Sequence, residues 1–324
     1  MTIIMPLKGG SLSKTYRMPQ YNTVCKEIST ESQREYGFMR WYSQTKKMQR
    51  LSALHPDLFP KILGLNSDGK TATVKIEWLE GYRDVKSILT NDELTEEQIF
   101  KINKAIWKGF EAIHSRTYDP VPGAGLLYYH EEIEKKLIDA VDSDSSFLSS
   151  FGKFYYNDTF EYHGQIVHGI KNYLDELRNF FSELRLIEEN DILGNPTLEN
   201  IMYSFDEDKV KFIDLYEESM IDTRFLDYSM VLQCCNSNYG YINDNQVETG
   251  YDFVTHELQI PKNFETFKHH FEAEIAEKRT REIVDVFEAT QFIRMLPFKV
   301  KAGDIDHAKY FYVHACYLLS KVFK

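Results

Sequence analysis

The chain has 324 residues, 43% of them hydrophobic and 27% charged, a mixture suited to an ordinary globular fold and a length that allows two lobes around one cleft. With 38 Lys and Arg against 50 Asp and Glu, the formal net charge of −12 argues against a broad nucleic-acid footprint and against docking on an anionic membrane face. Cys25, Cys234, Cys235 and Cys316 are too few and too scattered for a disulfide framework, and neither a signal peptide nor a membrane span is legible, so a soluble cytoplasmic protein is expected.

Residues 1–28 alternate in the manner of strands, with a hairpin turn at Gly9-Gly10 and a second turn at Tyr21-Asn22. From Thr30 to Leu54 the period changes: Tyr36, Met39, Tyr42 and Met48 fall at helical spacings, with Ser29 or Thr30 as the N-cap. His55-Pro56 and Phe59-Pro60 stop that helix. KILGLNSDGKTATVKIEWLEG reads as two strands around a turn at Asn66-Ser67-Asp68-Gly69. Beyond Gly81 the pattern is mainly helical. Helices are expected over Leu94–Ser115, Lys171–Leu186, Phe264–Ala289 and His307–Val322, interrupted by a strand-like island in which IMYSF and VKFIDL flank the acidic turn Asp206-Glu207-Asp208. The expected class is α+β, with a strand-rich lobe over 1–80 and a mostly helical lobe over 81–324.

One motif bears on chemistry. Asn195-Pro-Thr-Leu-Glu-Asn200 is followed, after the short hairpin, by Phe212-Ile213-Asp214. Asn200 and Asp214 offer oxygen donors of the kind Mg²⁺ selects, the hairpin returns one towards the other, and the polar Asn195 would face an attacking hydroxyl.

From about Met5 to Tyr228 these features resemble the aminoglycoside phosphotransferase and choline kinase family, which has the two-lobed protein-kinase-like fold. The resemblance is carried by Leu193-Gly194-Asn195-Pro196-Thr197-Leu198-Glu199-Asn200 and Ile213-Asp214, which match the family's His-Gly-Asp-x-x-x-x-Asn loop and its later Ile-Asp metal ligand. It implies a nucleotide-covering loop at Gly9, Gly10 and Ser11, and a phosphate-binding lysine at Lys26. It further implies Glu35 as the partner of that lysine, with Glu31 as a rival, and a hinge strand at Glu77, Trp78 and Leu79 whose backbone holds adenine. Ile113-His114 and Asp227 fall at further family landmarks, and Phe292-Ile293-Arg294-Met295-Leu296-Pro297 is similar to bacterial members encoded near polysaccharide genes. ATP and Mg²⁺ as cofactors, residues 1–80 as the nucleotide-binding lobe, residues 81–324 as the lobe with the catalytic loop and substrate site, and a small-molecule alcohol as acceptor follow from the same resemblance.

The chain departs from the family at two positions. Leu193 stands where the family has His, and Asn195 where it has the catalytic Asp. A neutral amide accepts a hydrogen bond from a hydroxyl but does not take its proton. Phosphoryl transfer rests mostly on positioning and electrostatics, so a missing base costs rate without abolishing the reaction. Two expectations follow: a phosphotransferase acting on a sugar, polysaccharide precursor, aminoglycoside or choline-like alcohol, or a catalytically degenerate pseudokinase that binds nucleotide or a partner. Asp191, Glu199, Glu217 and Glu218 are the neighbouring carboxylates that could stand in for the base.

Overall fold

The structure, a computed structural model, describes residues 3–7, 13–31, 36–144, 151–184, 189–217, 220–275 and 277–323. The chain is α+β, with a strand-rich N-terminal sheet and a helical C-terminal part. It forms two compact units: Met1–Ser115 together with Leu193–Ser219, and Arg116–Ile192 together with Met220–Lys324. The expected boundary at residue 80 falls inside the first unit, which also takes in the segment carrying the Asn195–Asp214 motif.

In the first unit, β1 (Met5–Pro6), β2 (Lys14–Met18), β3 (Thr23–Ser29), β4 (Ile62–Ser67) and β5 (Thr71–Glu77) make a five-stranded antiparallel sheet in the order β1-β2-β3-β5-β4. On β5, Ala72, Val74 and Ile76 are buried while Thr73 and Lys75 are not, the period of two that one covered face requires. Lys26 pairs with Val74 in register, so it projects from that same covered face, between the buried Val24 and Ile28. A cation in such a place needs a partner. The β2–β3 turn runs through Asn22 in a left-handed conformation (φ 50°), and Gly69 (φ 85°) turns β4 into β5.

Helix α1 is described over Tyr36–Leu54. Ser29 ends β3, and the Thr30 hydroxyl donates to the carbonyls of Gly69 and Lys70, so neither caps the helix; the sheet's own turn has claimed them. After β6 (Arg83–Asp84) and α2 (Val85–Asn91), α3 (Glu96–His114) opens on a capping box. Gln98 N–H donates to Thr95 Oγ1 (3.2 Å) and Thr95 N–H to Gln98 Oε1 (2.9 Å). The expected island is present as the antiparallel hairpin Ile201–Ser204/Lys209–Phe212, which β6 extends to three strands. It lies close on α3: a Cβ at Gly109 would come within 2.8 Å of the Phe212 ring, and that ring stacks on Phe110 with centroids 5.7 Å apart.

The second unit is built on α4 (Ala124–Tyr128), α5 (Lys135–Asp142), α6 (Phe151–Tyr155), α7 (Leu174–Glu183), α8 (Arg224–Cys235), α9 (Tyr239–Asn243), α10 (Lys262–Glu274), α11 (Lys278–Lys301) and α12 (Ile305–Val322). Helix α11 runs against α12, α8 and α5 and holds the core, with Val284, Phe287, Ile293 and Leu296 fully buried. The single helix expected over Phe264–Ala289 is two. Ile275 leaves helical geometry (φ −97°, ψ 44°) while staying buried, which frees the apolar stripe of Phe264, Phe267 and Phe271 from the phase that α11 needs. A four-stranded sheet of Glu248–Thr249, Phe253–Thr255, Thr159–Tyr162 and Gln165–His168, not among the expected elements, stands within the mainly helical part. All four cysteines are free, and among the described residues no helix is long and apolar enough to cross a membrane.

Glu288 on α11 is wholly buried and accepts from Ser237 Oγ (2.5 Å) and from Asn236 Nδ2 (3.0 Å to each oxygen). Burial raises its carboxyl to about 7. The unfolded chain releases this proton near the ordinary 4.5 and the folded chain holds it to about 7, so the stabilisation is full below pH 4.5 and is lost as pH rises through 7. Urea unfolding between pH 4.5 and 8 should therefore show a component of about 3 kcal/mol falling with pH. It should be absent in Glu288→Gln, whose amide does not titrate. Equal slopes for the two proteins would refute the assignment.

Candidate nucleotide and metal site

The residues of the central motif meet in the first unit. Lys26 Nζ lies 2.6 Å from Asp214 Oδ1, a charge-assisted contact between β3 and the segment after the hairpin. Asp214 has a left-handed backbone (φ 57°), which Asp and Asn tolerate better than most residues. Asn195 Nδ2 donates to the Asp214 carbonyl (3.1 Å), and Asn200 Nδ2 donates to the Asn195 carbonyl (3.0 Å). Because both partners are carbonyls, the two amides are oriented: each must turn its nitrogen to the backbone, leaving its Oδ1 as acceptor. Backbone bonds fix the loop further, from Asn200 N–H to Thr197 O, from Ile213 N–H to Asn200 O and from Tyr216 N–H to Leu193 O.

Gly194 sits at φ 75°, and a Cβ there would stand 3.0 Å from Tyr216 Cβ. Gly194→Ala combines left-handed strain with a close contact and should destabilise the first unit by about 2 kcal/mol. A thermal melt lowered by several degrees checks this; an unchanged melt would show that the loop accommodates a side chain.

Leu193 is 1% exposed, and its apolar side chain packs into the core. The carboxylates that could replace a base are engaged elsewhere. Glu217 accepts from Arg40 Nε (2.9 Å) and Gln44 Nε2 (3.2 Å), Glu199 is half exposed with Lys86 at 3.8 Å, and Asp191 is buried in the second unit with the Tyr118 hydroxyl at 3.3 Å. Glu218 lies outside the described residues, as do Gly9, Gly10, Ser11 and Glu35. Glu31 is exposed in the turn after β3, and its N–H bonds the Ser29 hydroxyl.

The α1 contribution was not anticipated. Arg40 and Gln44 reach Glu217, the Arg40 guanidinium lies 4.5 Å from the centre of the Tyr216 ring, and Lys47 is buried near Gly194. These residues recur at i, i+4 and i+7, a polar stripe on a helix face that should otherwise be apolar, and that pattern is the signal for them.

At the hinge stretch, Glu77 N–H bonds Lys61 O and Trp78 N–H bonds Asn22 O, while Arg17 lies 4.0 Å from the centre of the Trp78 ring. Two of the three N–H groups are thus used within the protein, and among the described residues no backbone group accepts from the Leu79 N–H. Among the described residues no group of three or more His, Cys, Asp or Glu is placed to hold a metal ion. The oxygens that suit Mg²⁺ are Asp214 Oδ2 and Asn200 Oδ1, one charged and one neutral, the sparse protein share typical of a Mg²⁺ that also uses phosphate oxygens.

A scan of protein-family models finds no match, and neither does a search of curated proteins. Among solved structures the chain is similar to Rad53 1–466 crystallised with AMP-PNP, at 11% identity and a TM-score of 0.38. The match covers 94% of this chain, which spans 65% of the length of that one.

Proposed function

We propose that the first unit binds ATP or a related nucleoside triphosphate with Mg²⁺, and that the protein is a kinase-like phosphotransferase acting on a small-molecule alcohol such as a sugar or polysaccharide precursor. The observation that carries this reading is the Lys26–Asp214 contact of 2.6 Å, tied through Asn195 to Asn200. Lys26 would hold the phosphates, and Asp214 and Asn200 would supply the protein's ligands to Mg²⁺. When bound, that ion would neutralise charge on the phosphates. Lys26 and Asp214 attract each other directly, so nucleotide and metal enter by substituting one ion pair with two: phosphate for Lys26, cation for Asp214. Asn195 Oδ1 remains as an acceptor to orient the alcohol hydroxyl without removing its proton. The adenine edge would meet the Leu79 N–H, and Gly9, Gly10, Ser11 and Glu35 keep their proposed roles as phosphate cover and lysine partner.

One observation favours the second reading, a pseudokinase. The amide of Asn195 is committed to the Asp214 carbonyl, and the described neighbouring carboxylates serve other partners. Labelled ATP offered with a panel of alcohols separates the two readings. Transfer to any acceptor supports the enzyme; Mg²⁺-dependent ATP binding without transfer supports the pseudokinase; no nucleotide binding at millimolar ATP overturns the enzyme and leaves only a partner-binding form of the second reading.

A further inference from the structure

The second unit contains a cavity of about 310 Å³ whose described lining residues all belong to that unit. In a chain of net charge −12, its described wall holds Lys268, Lys321 and three histidines and no Asp or Glu.

A directed chain of hydrogen bonds ends in this cavity. Tyr162 OH lies 2.6 Å from His314 Nδ1 and 3.0 Å from Tyr310 OH. Tyr310 OH lies 3.3 Å from His163 Nε2, and His163 Nδ1 lies 3.3 Å from Thr255 Oγ1. A phenol is a better proton donor than a neutral imidazole, and an imidazole nitrogen a better acceptor than a phenol oxygen, so at 2.6 Å the Tyr162 hydroxyl donates to His314 Nδ1. The remaining members then fall into order: Tyr310 donates to Tyr162, His163 Nε2–H to Tyr310, and Thr255 to His163 Nδ1. His314 is left with its proton on Nε2. That ring is 5% exposed, and among the described residues no group bonds its Nε2. Burial holds it neutral, its basicity lowered to about 3, so it serves as a fixed N–H donor.

Asn238 supplies the complementary group. Its Nδ2 faces the Asn236 carbonyl (3.5 Å), which directs its Oδ1 the other way, and that buried oxygen also has no partner among the described residues. The residue has a left-handed backbone (φ 53°), which Asn tolerates. Burial lowers the basicity of His163 and His256, so the positive charge of the wall resides on the lysines. Lys321 Nζ lies 4.0 Å from the centre of the Tyr317 ring, and Lys268 has only a loose contact with Glu272 at 3.6 Å, a carboxylate that Arg281 takes at 2.7 Å.

We infer that this cavity binds a small hydroxylated oxyanion, its charged oxygens taken by Lys268, Lys321 and the His314 Nε2–H and a hydroxyl donated to Asn238 Oδ1. At about 310 Å³ the cavity lies at the small end of the range for ligand pockets, which suits a small ligand. A phosphate ester and a hydroxycarboxylate present the same chemistry to these groups.

Full-length protein titrated with glycerol 2-phosphate, glycerate and uncharged glycerol tests this, read by calorimetry and by the ring signals of the histidines in NMR. At least one anion should bind saturably and move the His314 signals, and the tighter of the two identifies the oxyanion. Glycerol should do neither. The surface change Lys268→Met with Lys321→Met should weaken anion binding roughly tenfold or more, and His314→Phe should remove the N–H donor's share. If His314→Phe fails to fold, the lysine variant still decides. Absence of binding by both anions, equal binding of glycerol, or unchanged affinity in the lysine variant would each overturn the inference.

Discussion

Asp214→Asn is expected to remove the Mg²⁺-dependent part of nucleotide binding while leaving the fold in place. The substitution keeps size and shape, and Asn accepts the left-handed backbone at φ 57° as well as Asp does, so the loop that receives Asn195 Nδ2 on the Asp214 carbonyl is retained. What is lost is one negative charge. With it go the contact to Lys26 and the charge proposed to hold the metal. Lys26 and Asp214 are 20% and 39% exposed at their side chains, so losing their pair should change the stability of the ligand-free protein by no more than about 1 kcal/mol. In contrast, the gain in stability from saturating Mg²⁺ and ATP, about 2.7 kcal/mol at a hundredfold excess over Kd, should fall to what ATP gives in EDTA. Lys26→Met should lose ATP binding both with and without Mg²⁺, because it removes the proposed phosphate partner and not the proposed metal ligand. Turnover, where an acceptor is found, should drop about 10²–10³-fold or more in either variant. A thermal-shift titration of the three proteins settles the matter: an Asp214→Asn protein with the parental Mg²⁺ response is not using Asp214 as a metal ligand.

The part of this site that was legible in the sequence is the part held by local structure. Asn195, Asn200 and Asp214 are linked by a short loop and a tight hairpin, so spacing alone brings them near one another, and the strands flanking Asp206-Glu207-Asp208 follow from alternation. The partner of Lys26 was not legible in the same way. Its pairing with Asp214 spans 188 positions and is set by which face of β3 is covered, a fact visible only once Lys26 is seen opposite Val74. The stripe of Arg40, Gln44 and Lys47 was readable in principle, since polar residues on a helix's covered face ask for a reason. The helix break at Ile275 was harder. Ile275 is apolar, buried and bears no turn chemistry, so periodicity runs through it, and only packing against two different surfaces separates α10 from α11. The strands of the second unit's four-stranded sheet escaped because they are four residues or shorter, two local hairpins joined by a parallel pair, Phe253 opposite Glu161, that alternation does not reveal.

Asn195→Asp compared with Asn195→Ala separates the enzyme from the pseudokinase. In the parent the Asn195 amide donates to the Asp214 carbonyl at 3.1 Å. A carboxylate there would set two acceptors against each other, and alanine would leave the carbonyl without its donor. Both variants should therefore lose stability, by about 1–3 kcal/mol for a partly buried group deprived of its bond. Their melting temperatures should fall together. They differ in chemistry alone. An aspartate turning away from that carbonyl presents a proton acceptor to the alcohol, and general-base assistance of that kind is worth about 10²–10⁴-fold in rate. If the protein is a phosphotransferase running without its base, Asn195→Asp should exceed Asn195→Ala by at least about 10²-fold in turnover, and should exceed the parent once the loss of stability is corrected for by assaying below both melting temperatures. If it is a pseudokinase, the two variants should be equally inactive, with ATP and Mg²⁺ still bound through Lys26, Asn200 and Asp214. A third outcome, in which the parent is active and both variants are dead, would assign Asn195 a positive role: its amide would be holding the Asp214 backbone in the geometry the metal needs, and orientation rather than proton transfer would be what this site contributes to the rate.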